Sequence, residues 1–325
     1  MIVDCHAHLV PPELLAAIRK EAMRFPNAQL IEQDGSLAFA FAGGKPTRPV
    51  SKPLSDIPAR LTWLTKNGID KQVVGGWVDM FGYELSGAEG EAWARLTNDA
   101  LLAAAKAEPH FVPLATVPLG NGARAGAVLK DAMKAGFAGC MISSLPRGVG
   151  STLDHADLDA FWQAADDIGA LVHIHPSYDA GDVRVNDFGL ANGLGRITDA
   201  AVAVARLISA GHIAKYKNVR FFVPMGAAAL PFVLGRLKRN HAITSGIGDP
   251  VAALASIYTD TILHDARVLK FVIEMMSTER LMMGSDMPFP IGDMEPMKIV
   301  AEARLTAAQA ASINGELARR LFRIP

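Results

Sequence analysis

Two pairs of histidines and one late aspartate are the residues of this sequence best suited to bind a metal ion. His6 and His8 stand two residues apart near the N-terminus, His173 and His175 repeat that spacing, and Asp286 follows near the C-terminus. Side chains two apart on a strand point to the same face, so each pair is shaped to chelate one ion. Pro176 ends the second strand at His175, which leaves His173 one pleat deeper as a predicted buried, hydrogen-bonded histidine.

Three imidazoles and one carboxylate form a borderline-hard ligand set. We therefore predict one divalent ion held by His6, His8, His175 and Asp286, with zinc favoured and manganese or cobalt as alternatives. A buried carboxylate requires a cation or a strong donor, which supports the role of Asp286. Asp4 lies on the same predicted strand face as the first pair and is expected to orient a ligand side chain.

Short apolar runs alternate with longer amphipathic segments along the chain. The runs predict eight parallel strands, each followed by a helical stretch, and hence an α/β fold, a distorted TIM (β/α)8 barrel in a single domain over residues 1–325. The predicted strands are Met1–Asp4, Gln72–Trp77, Phe111–Val117, Gly139–Ile142, Leu171–His175, Val219–Val223, Ser256–Thr259 and Leu281–Met283. The clearest predicted helices are Glu89–Ala107, Ala123–Ala135, Asp154–Ile168, Thr198–Ala210 and Ala307–Leu321, with Asp154 as an N-cap.

Two segments depart from this alternation. Residues 29–50 alternate apolar and polar side chains around Asp34-Gly35, which predicts a small β-hairpin inserted after the first strand. Residues 177–196 are rich in Gly, Asp and Asn and predict a long loop after the fifth strand. Neither segment has the composition of an interdomain linker.

The composition argues against several classes of partner. The chain has 325 residues with 32 basic and 33 acidic side chains and a net charge of −1, so a nucleic-acid partner is not expected. Two cysteines give no disulfide framework and predict a reducing, cytoplasmic location. No run of about 18 apolar residues predicts a membrane span, and the N-terminus lacks the apolar run of a signal peptide.

Several stretches together resemble a known family. The HxH pair in DCHAHLVP, the HP in GALVHIHP, and GSDMPFPIGDMEP occur in the order found in the amidohydrolase-related decarboxylases, those like aminocarboxymuconate semialdehyde decarboxylase. The resemblance implies a barrel with one catalytic zinc and the non-oxidative loss of CO₂ from an activated carboxylate. It also implies two arginines that hold substrate carboxylates, at Arg48 in TRPV and at Arg236 in LGR, the second acting across a homodimer interface.

One position departs from that family. Its members carry a histidine in a segment like AHGGGALPF, whereas this chain has Met225 in PMGAAALPF. A thioether cannot carry a proton, so Met225 is expected to contact the substrate without acid–base chemistry. Alanines in place of the glycines are expected to fill the pocket floor. Asp286, or a histidine such as His264 at the start of the helix after strand 7, or His173, would then handle the proton.

The expected activity is a metal-dependent carboxy-lyase reaction on a small unsaturated or aromatic carboxylate, in which the metal polarises the substrate or activates water. Two alternatives stay open. The first is a hydrolase that opens a lactone or cyclic amide, with Asp286 moving the proton. The second is a catalytically silent relative that binds a carboxylate, against which the intact metal set argues.

Overall fold

The computed structural model describes residues 1–33, 35–146, 150–177 and 182–325. Ten strands lie in these ranges: β1 (Val3–Leu9), β2 (Ala28–Gln33), β3 (Ser36–Phe41), β4 (Lys71–Gly76), β5 (Phe111–Pro113), β6 (Cys140–Ser143), β7 (Leu171–His175), β8 (Arg220–Phe222), β9 (Thr259–Asp260) and β10 (Leu281–Met282). All except β2 and β3 pair in parallel with their neighbours along the chain.

The eight parallel strands close into a ring. Ladders join β1–β4–β5, β6–β7–β8 and β9–β10. Isolated parallel bridges connect these three groups, and the last of them returns to β1: Ala115 with Cys140, Phe222 with Tyr258, and Ala7 with Met287. The predicted distorted TIM barrel is confirmed. Its strands are short and its ladders interrupted, which accounts for the distortion.

Helices surround the ring on its outer side. They span Pro12–Lys20, Ile57–Lys66, Gly87–Ala107, Gly122–Ala135, Asp159–Asp167, Arg196–Ser209, His212–Lys215, Leu230–Ile243, Pro250–Leu254, Ala266–Met276, Pro296–Glu302, Ala307–Ala311 and Leu317–Leu321. Within the ranges that the structure describes, no helix is both long and apolar enough to cross a membrane.

Strand β7 illustrates how the barrel orients its side chains. Val172 and Ile174 belong to the large apolar cluster that also contains the helix residue Leu207. His173 and His175 alternate with them and therefore face the barrel interior. The helices thus bury one face of the strand, and the opposite face supplies side chains to the site.

The inserted hairpin is shorter than predicted. It consists of β2 and β3, and its turn residue Asp34 lies outside the described residues. The following residues are not a strand, although Thr47 and Val50 donate their backbone N–H groups to carbonyls of β3. Arg48 therefore lies in a segment that packs beside the hairpin instead of within it.

Several predicted boundaries were wrong. Strand β1 continues through Leu9, because the barrel interior accepts the polar side chains of His6 and His8. Asp154 does not cap a helix but forms an ion pair with Arg206 at 2.8 Å. The final helix is interrupted by a π-helical turn over Ser312–Glu316. Within this turn a side chain at Gly315 would collide with the carbonyl oxygen of Met1.

The predicted loop after β7 is not wholly irregular. Residues 178–181 lie outside the described residues. The remainder contains a 3₁₀ turn over Val183–Val185 and a π-helical turn over Ala191–Gly195 that leads directly into the helix Arg196–Ser209. The loop therefore ends in a rigid element beside the barrel mouth.

Candidate metal centre

The four predicted metal ligands converge at one end of the barrel. One ligand atom from each of His6, His8, His175 and Asp286 lies within 4.8 Å of the others. The Nε2 atoms of His6 and His8 are 3.3 Å apart, and Asp286 Oδ1 lies 3.1 Å from His8 Nε2. Residues from β1, from the end of β7 and from the segment after β10 are thus brought to one point.

Each of the three imidazoles is fixed through its second nitrogen. His6 Nδ1 lies 2.8 Å from a carboxylate oxygen of Asp260, and His8 Nδ1 lies 3.2 Å from the carbonyl oxygen of Gly76. His175 Nδ1 lies 2.8 Å from the carbonyl oxygen of the proline that follows it. Carbonyl and ionised carboxylate oxygens only accept hydrogen bonds, so each Nδ1 carries the proton. All three Nε2 lone pairs are left to point at the common centre.

The charge states of His8, His175 and Asp286 suit a cation. Burial lowers the pKa of His8, and burial and neighbouring imidazoles lower that of His175 well below its usual value, so both rings are neutral. Burial opposes protonation of His6 too, but the hydrogen bond to Asp260 and the charge of Asp286 raise the pKa of His6. Burial acts to raise the pKa of Asp286, yet the adjacent histidines lower it overall and keep the carboxylate ionised. Such nitrogen and oxygen donors fit a divalent transition metal.

A network of buried hydrogen bonds lies beside the candidate ligands. Asp4 accepts hydrogen bonds from Ser285 Oγ at 2.5 Å and from Gln72 Nε2 at 2.8 Å. Arg60 donates to Gln72 at 2.9 Å and to the carbonyl oxygen of His8 at 2.5 Å. Asp4 also accepts hydrogen bonds from the backbone N–H groups of His6 at 3.2 Å and of Ser285 at 2.9 Å, so its carboxylate positions the backbone at His6 and just before Asp286.

His173 is buried beside the centre but lies outside the convergent group. Its ring centroid is 4.5 Å from that of His6 and 4.1 Å from that of Phe222. Neither ring nitrogen has a hydrogen-bond partner among the described residues. The prediction of a hydrogen-bonded histidine was therefore wrong, because the neighbouring interior surface is aromatic.

A cavity of about 770 Å³ opens next to the ligands. His6, His175 and Asp286 border it, and so do Met225 and His264. Five of the residues selected from the sequence therefore border the same cavity.

The wall that contains Met225 has an unusual backbone. Residues 225–229 all have positive φ, from 52° to 61°. Asp260 Oδ1 accepts a hydrogen bond from the Met225 N–H at 2.7 Å, and Thr259 Oγ1 accepts one from Ala227 at 2.6 Å. Asp260 therefore holds both a metal-ligand histidine and this turn.

The alanines of this turn do not fill the pocket floor as expected. Ala227 and Ala228 are buried in the large apolar cluster, and only Ala229 borders the cavity. In a left-handed turn their methyl groups are directed into the protein core and not into the ligand space.

His264 also differs from its predicted position. It precedes the helix Ala266–Met276 by two residues, and Asp265 is the N-cap of that helix. His264 is exposed and has a φ of 58°, so it lies in the cavity rim rather than on the helix.

The two predicted carboxylate-binding arginines have different surroundings. Arg48 donates from Nε and Nη2 to the two carboxylate oxygens of Asp79, at 2.9 and 3.0 Å. With Trp77 and Phe289 it borders a small pocket beside His8.

Arg236 is exposed on the helix Leu230–Ile243 and does not border the cavity of its own chain. The single chain therefore does not bring the two arginines together.

Three residues of the site were missed in the sequence. Asp260 ends an apolar run, and a carboxylate at the carboxyl end of a barrel strand is a sign of a functional site. Asp79 lies just after β4 at the same end of the barrel, and Arg196 follows a glycine-rich stretch. Arg196 borders both the cavity and the small pocket.

Comparisons with known proteins agree with this architecture. The 2-amino-3-carboxymuconate-6-semialdehyde decarboxylase of Dictyostelium discoideum is 24% identical over 311 residues, which cover 92% of this chain and 84% of that protein. The crystal structure of the 5-carboxyvanillate decarboxylase LigW from Sphingomonas paucimobilis matches with a TM-score of 0.83 at 20% identity, covering 100% of this chain and 99% of that one.

A second solved structure contains a metal. It is a 5-carboxyvanillate decarboxylase from Novosphingobium aromaticivorans DSM 12444, complexed with manganese and 4-hydroxy-3-methoxy-5-nitrobenzoic acid. It matches with a TM-score of 0.81 at 18% identity and covers 100% of this chain and 96% of that one. A family model described as amidohydrolase matches residues 3–324. Because that match spans almost the whole sequence, this chain belongs to the amidohydrolase family.

Proposed function

We propose that this protein is a divalent-metal-dependent decarboxylase that acts on a small unsaturated or aromatic carboxylate. The observation that carries the proposal is the convergence of three Nε2 lone pairs and one carboxylate beside a cavity. The decarboxylase names of the similar proteins support the reaction class. His6, His8, His175 and Asp286 would hold the ion.

The ligand set favours zinc, and the manganese in a similar structure supports a broader choice of divalent metal. Once bound, such an ion would polarise an oxygen atom of the substrate. Cys5 and Cys140 are buried and free, which supports a reducing, cytoplasmic location.

Decarboxylation breaks the bond between a carbon atom and its carboxylate group. CO₂ leaves, the electron pair stays on the carbon, and a proton must then be added there. Met225 borders the cavity but cannot supply that proton. We propose that Asp286 moves it, with His264 as the second candidate, because both ionisable groups border the same cavity.

Arg48 and Arg236 are proposed to attract the substrate carboxylates. The charge of Arg48 is partly offset by Asp79, so its contribution is expected to be modest. Arg236 is exposed on its own chain, so its role requires a second copy and hence a homodimer. If it acts in this way, mixing an Arg236→Ala protein with a His6→Ala/His8→Ala protein would restore part of the activity.

A hydrolase that opens a lactone or cyclic amide is the second candidate. The observation that favours it is the thioether of Met225 in the cavity wall, at the position where the resemblance implies a histidine. In that reaction Asp286 would accept the proton of the attacking water.

The two reactions are separated by their products. The protein would be stripped of metal, reloaded with Zn²⁺ or Mn²⁺, and incubated with a set of aromatic and unsaturated carboxylates and their lactones. We expect metal-dependent CO₂ release without ring-opened product. Ring opening without CO₂ would replace the proposal with the hydrolase, and stoichiometric metal with neither product would favour a silent carboxylate-binding relative.

A further inference from the structure

The helix Ala266–Met276 has a row of apolar side chains that the barrel does not bury. Side chains at the spacing i, i+3, i+7 lie on one side of a helix. Three exposed residues with this spacing form what is called below the exposed stripe: Val268, Phe271 and Met275. The buried side of the same helix is separate and consists of Leu269, Val272 and Met276.

The charged residues of this helix occupy a third side. They are exposed and have the same spacing: Arg267, Lys270 and Glu274. A surface helix ordinarily has one apolar side, which packs on the core, and is polar elsewhere. This helix has two apolar sides, and only one of them packs on the barrel. Exposed apolar surface beside polar residues is typical of a binding surface.

The exposed stripe is continuous with the cavity at the candidate metal centre. Val268 and Phe271 border that cavity, together with the ligand residues His6, His175 and Asp286. Met275, one helical turn beyond Phe271, is not among the described residues that border it. The part of the stripe nearest the barrel mouth therefore faces the same space as the candidate ligands.

The rest of the cavity wall extends this apolar surface inwards. Ile262 is buried and Ile291 is exposed, and both border the cavity. At the rim, Arg267 donates from Nε and Nη2 to the carboxylate of Asp265, so these two charges offset each other. The volume of about 770 Å³ lies within the range of about 300–1,000 Å³ that is typical of sites for drug-sized ligands.

We propose that Val268 and Phe271 bind the part of the substrate farthest from the reacting carboxylate. The substrate is then an acid whose apolar body is longer than one aromatic ring. The physical reason is that covering apolar surface on both partners is favourable in proportion to the area removed from water. The inference deepens the proposed function and rests on it for the identity of the reacting end.

Calorimetric binding of three unreactive acids to the Mn²⁺-loaded protein tests this inference. Benzoate has one ring, 4-phenylbenzoate has a second apolar ring, and biphenyl-4,4′-dicarboxylate has a charge at the far end of that ring. We expect 4-phenylbenzoate to bind about tenfold to a hundredfold more tightly than benzoate, because its second ring is covered. The dicarboxylate should lose most of that gain, because its second charge would have to leave water against an apolar surface.

Phe271 and Met275 provide a matched pair of variants, since each side chain is 37% exposed on the same stripe and only Phe271 borders the cavity. Phe271→Asp should weaken 4-phenylbenzoate binding by at least about tenfold and leave benzoate binding unchanged. Met275→Asp should change neither affinity. Phe271→Leu should keep the 4-phenylbenzoate affinity within about fivefold, because leucine keeps the surface apolar.

Equal affinities for benzoate and 4-phenylbenzoate in the wild-type protein would overturn the inference without any variant. Full 4-phenylbenzoate affinity in Phe271→Asp would overturn the role of the stripe. Sedimentation velocity tests the other possible occupant, a second copy of the chain. Dissociation of an oligomer by Phe271→Asp and Met275→Asp alike, with unchanged binding of all three acids, would assign the stripe to a contact between copies and overturn the inference.

Metal content and CO₂ release measured on the same preparations separate this inference from the proposed function. Phe271-dependent binding of 4-phenylbenzoate without CO₂ release from any acid would contradict the decarboxylase and leave the apolar subsite standing. CO₂ release from single-ring acids, together with equal binding of benzoate and 4-phenylbenzoate, would do the reverse.

Discussion

Two parts of the cavity wall differ in polarity and in backbone conformation: the candidate metal ligands and the turn of residues 225–229. On the metal side, each imidazole is held at its second nitrogen by a fixed oxygen, as in the pair of His6 with Asp260. In another part of the wall, residues 225–229 form a left-handed turn whose side chains include no ionisable group. The polar wall formed by the candidate ligands is preorganised, and the apolar wall formed by residues 225–229 is conformationally strained.

This difference separates the residues proposed to bind the metal from the position where the resemblance implies a proton-handling histidine. The ligand side keeps every group that a divalent ion requires. In the apolar wall Asp260 accepts a hydrogen bond from the N–H of Met225, whose thioether carries no proton. A change of reaction rate or substrate can therefore arise on one wall while the other stays intact.

The strongest test of the polar wall is removal of its first two ligands. His6→Ala/His8→Ala should abolish stoichiometric metal and all activity, because two of the four ligand groups are lost. Elemental analysis after gel filtration measures the metal. The control is His110→Ala/His155→Ala, which removes two exposed histidines and should keep full metal content. A stoichiometric ion in the His6/His8 double variant would show that these residues are not the ligands.

The strongest test of the apolar wall is the return of an imidazole at Met225. Met225→His should raise CO₂ release by about 10²–10⁴-fold, the typical contribution of a positioned acid–base group. The positive φ of 54° at this position is better tolerated by histidine than by most other residues. The pH–rate profile should gain an ionisation near 6.5, the ordinary pKa of an imidazole.

Met225→Leu is the control, since it keeps the wall apolar and should leave the pH profile unchanged. Because Ala227 and Ala228 are directed into the core, they should not crowd the new ring; the triple variant with glycine at both positions checks this. No increase in CO₂ release in Met225→His or in the triple variant, with metal and fold intact, would mean that this wall serves a different reaction. Rapid decarboxylation by the wild type would show that this histidine is not required.

The sequence predicts the convergence of the candidate metal ligands because part of their geometry is local. His6 and His8 are two residues apart on a strand, and Pro176 fixes the end of the strand at His175. Their supporting partners are not local: Asp260, which holds His6, is 254 residues away along the chain. Such a contact depends on closure of the barrel, and no spacing in the sequence encodes it.

In the fold, too, local features can be predicted from the sequence, whereas features that depend on tertiary contacts cannot. The order of eight strands follows from alternating apolar runs, but β1 extends past its predicted end because the barrel interior buries polar ligands. The direction of the alanine side chains could not be predicted either, since it depends on the sign of φ in residues 225–229. That the whole chain forms one domain stays a prediction.

A smaller effect is expected at Asp260, which hydrogen-bonds both His6 and the backbone of Met225. Asp260→Asn should lower metal affinity by about 10–100-fold, because the amide removes the charge that supports His6 while its oxygen can still accept one hydrogen bond. Competition with a chelating dye measures this affinity. Asp249→Asn, which alters only the cap of the helix Pro250–Leu254, should leave it unchanged. Equal affinities in the two variants would remove Asp260 from the support of the ligand.

The smallest expected effect concerns the strain in the apolar wall. Ala229 is exposed and has a φ of 61°, a conformation that costs an L-residue roughly 1–2 kcal/mol and costs glycine little. Ala229→Gly should therefore stabilise the protein by about 0.5–1 kcal/mol, since the greater freedom of the unfolded chain offsets part of the relief. Ala103→Gly, at an exposed position inside the helix Gly87–Ala107, should destabilise it by about 1 kcal/mol. The two denaturant midpoints should thus move in opposite directions after the same chemical change. A lower midpoint in both variants would mean that the left-handed turn is not strained at Ala229, and the contrast between the two walls would then lie in side-chain chemistry alone.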